Sequence, residues 1–154
     1  MRIVVQDAPF DAGAEVNAFT AAQSAAQPGA GAIVTFTGVV RNSPGGDLDV
    51  MQIEHYPGMT QNALKSMAHK AMQRWELADV LIIHRYGDLR PGDQIMMVAT
   101  ASRHRKGAFE AAEYLMDYLK SRAPFWKNEI TKDGSQWVDA KDDDEAALDR
   151  WSQS

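Results

Sequence analysis

Residues 102–129 read S-R-H-R-K-G-A-F-E-A-A-E-Y-L-M-D-Y-L-K-S-R-A-P-F-W-K-N-E, a basic entry, an amphipathic middle and a lysine on either side of Pro124. Phe109, Ala112, Leu115, Met116 and Leu119 recur at three- and four-residue spacing, which predicts a helix over roughly 106–122 with one apolar face. Pro124 ends it, and Phe125-Trp126-Lys127 continues as an extended, aromatic segment. At 100° per residue Lys120 falls about 20° from Phe109, at the border of that face. Two lysines are thus expected near one helix end, among bulky apolar groups. A last-turn lysine also has an ordinary explanation, because cations interact favourably with the carbonyl end of a helix. Charge distribution argues for more. Residues 101–132 hold seven Lys or Arg and four acidic residues, whereas the 154-residue chain carries a net charge of −5. A positive island in an acidic chain points to a local anion site rather than to a nucleic-acid surface.

Outward from this stretch, strands dominate. Before it, Gln94–Ala101 is apolar and β-rich, and Asp79–Arg85 (D-V-L-I-I-H-R) is an apolar run of strand length. Ala63, Leu64, Met67, Ala68, Ala71, Met72 and Trp75 trace a helical stripe over about 60–75, with the methionines as core filler. Val50–Tyr56 alternates as a strand, and Ala32–Asn42 is the most strongly β-branched run in the chain. Gly38 permits close approach there, and Arg41 stands where the run enters the glycine-rich loop 43–47. An arginine so placed can hold a phosphate through its planar fork, or simply be a solvated charge. Ile3–Val5 is a short strand, and Phe10–Ala26 an alanine-rich helix with Val16 and Phe19 on one side. After the lysines, the turn 132–135 divides Trp126–Ile130 from Gln136–Val138 as a hairpin, and an acidic, partly helical, exposed tail begins at about Asp139. These elements predict one α+β domain over 1–154, with an antiparallel sheet, two main helices and a C-terminal hairpin.

Several chemistries are excluded or unsupported. The chain has no cysteine, hence no disulfide, thiolate metal site or cysteine nucleophile. His55, His69, His84 and His104 lack metal-ligand spacing, and His55 and His84, at strand ends, are expected to be structural. No phosphate loop, dinucleotide fingerprint or serine-hydrolase elbow is present. The amino terminus lacks a signal peptide's apolar run, and no run reaches membrane-spanning length, so a cytoplasmic protein is expected. Arg41, His104, Arg105, Lys120 and Lys127 remain as polar candidates. His104 and Arg105 stand at a helix start, where free N–H groups favour an anion. Lys106 to Lys120 spans about 21 Å of helix, so His104-Arg105 and Lys120 are expected to share a site only across a dimer interface.

T-F-T-G-V-V-R-N (35–42), E-H-Y-P-G-M (54–59), I-H-R-Y-G-D-L (83–89), P-G-D (91–93), S-R-H-R-K-G-A-F (102–109) and D-Y-L-K-S-R-A-P-F-W-K-N-E (117–129) occur in this order. Together they closely resemble the large, catalytic subunit family of molybdopterin synthase. The resemblance implies an α/β-hammerhead-like fold and a sulfurtransferase of molybdenum cofactor biosynthesis. It implies a central dimer of large subunits within a heterotetramer, with a small ubiquitin-like sulfur carrier at each end. The carrier's C-terminal Gly-Gly thiocarboxylate would deliver two sulfurs to cyclic pyranopterin monophosphate, with no metal or other cofactor. By the same resemblance Lys120 and Lys127 match the lysines at the thiocarboxylate and the pterin. Val39, Val40 and Arg41 match the substrate loop, and Asn128 and Glu129 continue the Lys127 segment. His104 and Arg105 match a pair reaching in from the other large subunit, and Lys141 a cross-dimer cation. Lys120 is expected to supply positive charge where oxyanion character develops, and Lys127 to act on the pterin side. The alternative reading is a non-catalytic anion-binding module that docks a ubiquitin-like partner. A nucleic-acid binder is disfavoured by the net charge, and membrane association is not expected.

Overall fold

The computed structural model describes residues 1–139 and 142–152. In chain order the elements are β1 (Arg2–Gln6), α1 (Ala12–Ala25), β2 (Ala32–Val39), β3 (Leu48–His55), α2 (Met59–Arg74), β4 (Asp79–Arg85), β5 (Gly87–Leu89), β6 (Gln94–Ser102), α3 (Arg105–Ser121), β7 (Phe125–Thr131), β8 (Gly134–Val138) and α4 (Asp142–Ser152). The α+β expectation holds, but the strands form two four-stranded sheets, ordered β1-β4-β6-β2 and β5-β3-β7-β8. All pairings are antiparallel except β1 with β4.

The first sheet is apolar on both faces because helices cover both. Along β4, Val80 and Ile82 point to one side, with Met96 and Val98 of β6, and pack beneath α2 and α3. Leu81 and Ile83 point to the other, with Met97, Ala99 and Ala101, and pack against Phe19 of α1. This two-sided burial explains the unbroken apolar runs of β4 and β6. A smaller core of Val40, Leu48, Ile53 and Leu89 belongs to the second sheet, and Ile95 and Phe125 pack against it.

Three expectations need correction. The strand at 32–42 stops at Val39: the register shifts between Gly38 and Val39, and Val40 instead exchanges backbone hydrogen bonds with the turn at 90–93. Its N–H donates to the Asp93 carbonyl and its own carbonyl accepts from Gly92 N–H, each at 2.8 Å. The buried arc of α3 is Ala108, Ala111, Ala112, Leu115 and Leu119 with Tyr114, whereas Phe109 is 61% exposed. Lys120, like Phe109, therefore lies off the buried arc, on the flank that carries Met116. The tail, finally, does more than lie in solvent. Trp151 of α4 packs edge-on against Trp75 and Tyr114, and its indole N–H donates to Asp117 Oδ2 at 2.6 Å.

The corner that joins α3 to β7 is pinned. Thr60, fully buried at the start of α2, donates from its hydroxyl to the Pro124 carbonyl (3.0 Å) and accepts from Tyr56 N–H (2.9 Å). One side chain thus ties the β3–α2 corner to the segment between the two lysines.

Candidate active site

β7 enters the second sheet immediately after α3 ends, so the last turn of α3 and the first residues of β7 face the open end of the first sheet. A cavity of about 270 Å³ lies there. Lys120 and Lys127 line it, with Met116 and Leu119 from α3, Phe36–Val39 from β2, Ile95 and Met96 from β6, and His84 from β4. A second cleft beside it shares His84, Lys120 and Lys127 and is bordered by Asp139 and Asp144.

The two lysines differ in setting. Lys120 is exposed at the helix end, while Lys127 is largely enclosed. Burial first, and the Lys120 ammonium second, push the Lys127 pKa below the usual lysine range, with Asp144 pulling weakly the other way. Two cations around one apolar-walled cavity suit an anion, and the enclosed one holds its proton less tightly than an ordinary lysine.

His84, expected from the sequence to be structural, lines the same cavity. It is 4% exposed, stacked on Phe125 with ring centroids 3.7 Å apart, and its Nδ1 lies 2.8 Å from the Arg85 carbonyl oxygen. A carbonyl only accepts, so Nδ1 carries the proton. Burial, with Lys127 and His55 adding to it, drives the imidazole pKa down to about 3, so the ring is neutral. The available signal was alternation: His84 follows Val80 and Ile82 on the α3 side of β4, not merely at a strand end.

The other sequence candidates are distributed as follows. Val39 is half exposed on the cavity wall, Val40 is buried in the second core, and Arg41 is exposed on the loop just beyond. Asn128 is buried with its Oδ1 unpartnered among the described residues, and strand alternation puts it on the opposite face of β7 from Lys127. Glu129 shares the Lys127 face but lies further along, opposite Met51. His104 caps α3 without a side-chain bond and borders a different cleft, with Ser102 and Arg103. Arg105 is exposed beside it, at the far end of α3 from Lys120. The protomer therefore brings together Lys120, Lys127 and Val39, and leaves His104 and Arg105 apart. Lys141 lies outside the described residues. No group of three metal-ligating side chains occurs among the described residues, and no helix there is long and apolar enough to cross a membrane.

Comparison with known proteins matches residues 5–122 to the family model described as MoaE protein. The molybdopterin synthase catalytic subunit of Cereibacter sphaeroides is 61% identical over 151 residues, which is 98% of this chain and all of that one. Among solved structures, the molybdopterin biosynthesis MoaE protein of Burkholderia ambifaria superposes with a TM-score of 0.81 at 48% identity, covering both chains fully. Molybdopterin synthase from Staphylococcus aureus gives 0.76 at 32% identity, covering 90% of this chain and 96% of that one.

Proposed function

The chain belongs to the MoaE protein family of molybdopterin synthase catalytic subunits and is an enzyme of molybdopterin synthesis, and we propose that its sulfur-transfer site is the cavity bearing Lys120 and Lys127. The observation that carries this reading is the pairing of an exposed and an enclosed lysine on one apolar-walled cavity, the enclosed one with a depressed pKa. Both reactants proposed for it are anions: the C-terminal thiocarboxylate of a small ubiquitin-like sulfur carrier, and cyclic pyranopterin monophosphate. A cationic pocket in a chain of net charge −5 suits them.

In the proposed chemistry the thiocarboxylate sulfur attacks a side-chain carbon of the pterin as a carbon–oxygen bond there breaks, the oxygen leaving on the phosphate or as water, and an acyl–sulfur link joins carrier and substrate. Water then adds to the acyl carbon, the carbon–sulfur bond to the carrier breaks, and the carrier leaves as a carboxylate. Two such transfers give the dithiolene. Lys120 stabilises the oxyanion that forms at the acyl carbon. Lys127 exchanges a proton on the pterin side, for which its lowered pKa fits it. The carrier tail has a natural berth. β2 is an edge strand of the first sheet, and its Phe36 and Val39 are exposed at the cavity mouth.

His104 and Arg105 join this site, in our reading, from a second copy of the chain, since within one protomer they lie at the opposite end of α3. The working assembly is then a central homodimer with a carrier at each end, and the cytoplasm is its compartment. The test is a single-turnover assay with purified thiocarboxylated carrier and cyclic pyranopterin monophosphate, following the dithiolene as a fluorescent pterin. Lys120→Ala is expected to abolish product while retaining carrier binding; near-normal turnover in that variant overturns the assignment.

A further inference from the structure

We infer that His84 is a built-in hydrogen-bond acceptor of the cavity, presenting the lone pair of Nε2 to an N–H group of one of the two reactants. The inference rests on reading this cavity as the sulfur-transfer site. Its geometry has three parts. The Arg85 carbonyl oxygen, 2.8 Å from Nδ1, fixes the tautomer with the proton on Nδ1, so Nε2 is an acceptor. Phe125 lies nearly parallel against the ring, at 16°, and holds its orientation. Nε2 has no hydrogen-bond partner among the described residues, although the ring is buried and lines the cavity beside both lysines.

Nε2 is not among the fully buried unpartnered side-chain atoms, so it keeps access to the cavity its ring lines, where an acceptor is complementary to a donor on a ligand. The two lysines lining this cavity offer only N–H donors. They suit phosphate and thiocarboxylate oxygens but cannot recognise an N–H. Reduced pterin rings and the glycine amides of the carrier tail both carry N–H groups, and His84 supplies the complementary acceptor. A protonated ring would lose that lone pair and add a third cation, and the groups that oppose protonation are its own burial, Lys127 and His55. His84 thereby reads a feature of the reactants that the lysines cannot.

Histidine 15N NMR on the unmodified protein tests this directly, with carrier ending in an ordinary carboxylate and cyclic pyranopterin monophosphate added separately and then together. The expected result is an unprotonated Nε2 near neutral pH whose resonance moves toward the hydrogen-bonded range on adding one reactant, while Nδ1 stays put. The reactant that moves it identifies the source of the N–H. A protonated Nε2, or a resonance that neither reactant nor the mixture moves, overturns the inference. In turnover, His84→Phe keeps a ring on Phe125 and removes the acceptor, and should slow single turnover about tenfold. His84→Gln, whose amide reaches the place of Nε2, should recover most of that loss. Wild-type rate in His84→Phe, or equal loss in both variants, counts against the proposal. The NMR readout needs no turnover, so a silent Nε2 in an enzyme that still depends on Lys120 rejects this inference alone.

Discussion

Lys127 sits among apolar side chains with a second ammonium on the same cavity, and both press it to release its proton. Removing the second influence should be visible: in Lys120→Ala the Lys127 pKa is expected to rise, as followed by NMR of labelled lysine. An unchanged titration would mean that the two ammonium groups do not sense each other. His84 gives a stability prediction with a definite sign. Its pKa falls from 6.5 in the unfolded chain to about 3 in the fold, so between those values the unfolded state binds more protons. The contribution is full above pH 6.5 and is lost as pH falls toward 3, amounting to on the order of a few kcal/mol. Urea unfolding from pH 7.5 to 4 should show that decline in the wild type and a flatter profile in His84→Gln. Both lysines were legible in the sequence, because a helix period and a proline place them on either side of one corner. The place of His84 on the cavity wall was not, since a histidine closing an apolar strand looks the same in sequence whether or not a cavity adjoins it.

The corner between α3 and β7 is what turns two lysines seven residues apart into one site, and Thr60 holds it. Thr60→Val keeps the shape and removes the hydroxyl, stranding the Pro124 carbonyl and the Tyr56 N–H. It should cost about 1–3 kcal/mol in denaturant unfolding and slow turnover more than it weakens carrier binding. Gly31 is a second pinch point, where β2 begins. A Cβ there would come within 2.5 Å of the Arg103 carbonyl oxygen, so Gly31→Ala must displace backbone next to His104 and should lower the melting temperature by several degrees. Element boundaries were read well where one period dominates: β4 runs over Asp79–Arg85 as expected, and α3 differs by a residue at each end. They were read poorly where partners decide. β2 ends early because Val40 bonds to the turn at 90–93, and the three-residue β5 has no signal apart from its pairing with β3. Phe109 misled because apolar periodicity cannot tell a buried face from a face left open.

Across the whole molecule, the longer strands could be read from their residues but, the C-terminal hairpin apart, their neighbours could not, so one expected sheet becomes two. The fold then has a purpose that periodicity could not reveal: the junction between the sheets is where the cavity opens. The separation of His104 and Arg105 from the lysines makes the assembly testable. If each site takes its lysines from one protomer and His104 from the other, mixed dimers of Lys120→Ala and His104→Ala contain one intact site. Two inactive variants should then recover about a quarter of wild-type activity on subunit exchange, whereas sites contained within single protomers would recover none.

The central claim, that sulfur passes to the pterin at the Lys120–Lys127 cavity, is tested most directly by following both products of one turnover together. Thiocarboxylated carrier is mixed with enzyme and cyclic pyranopterin monophosphate, the reaction is quenched at intervals, and carrier mass is read alongside pterin product. Carrier thiocarboxylate is expected to become carboxylate in step with dithiolene formation, two carriers for each product, with neither change in Lys120→Ala. Product formation at the wild-type rate in Lys120→Ala, or carrier conversion without pterin product in the wild type, would contradict it.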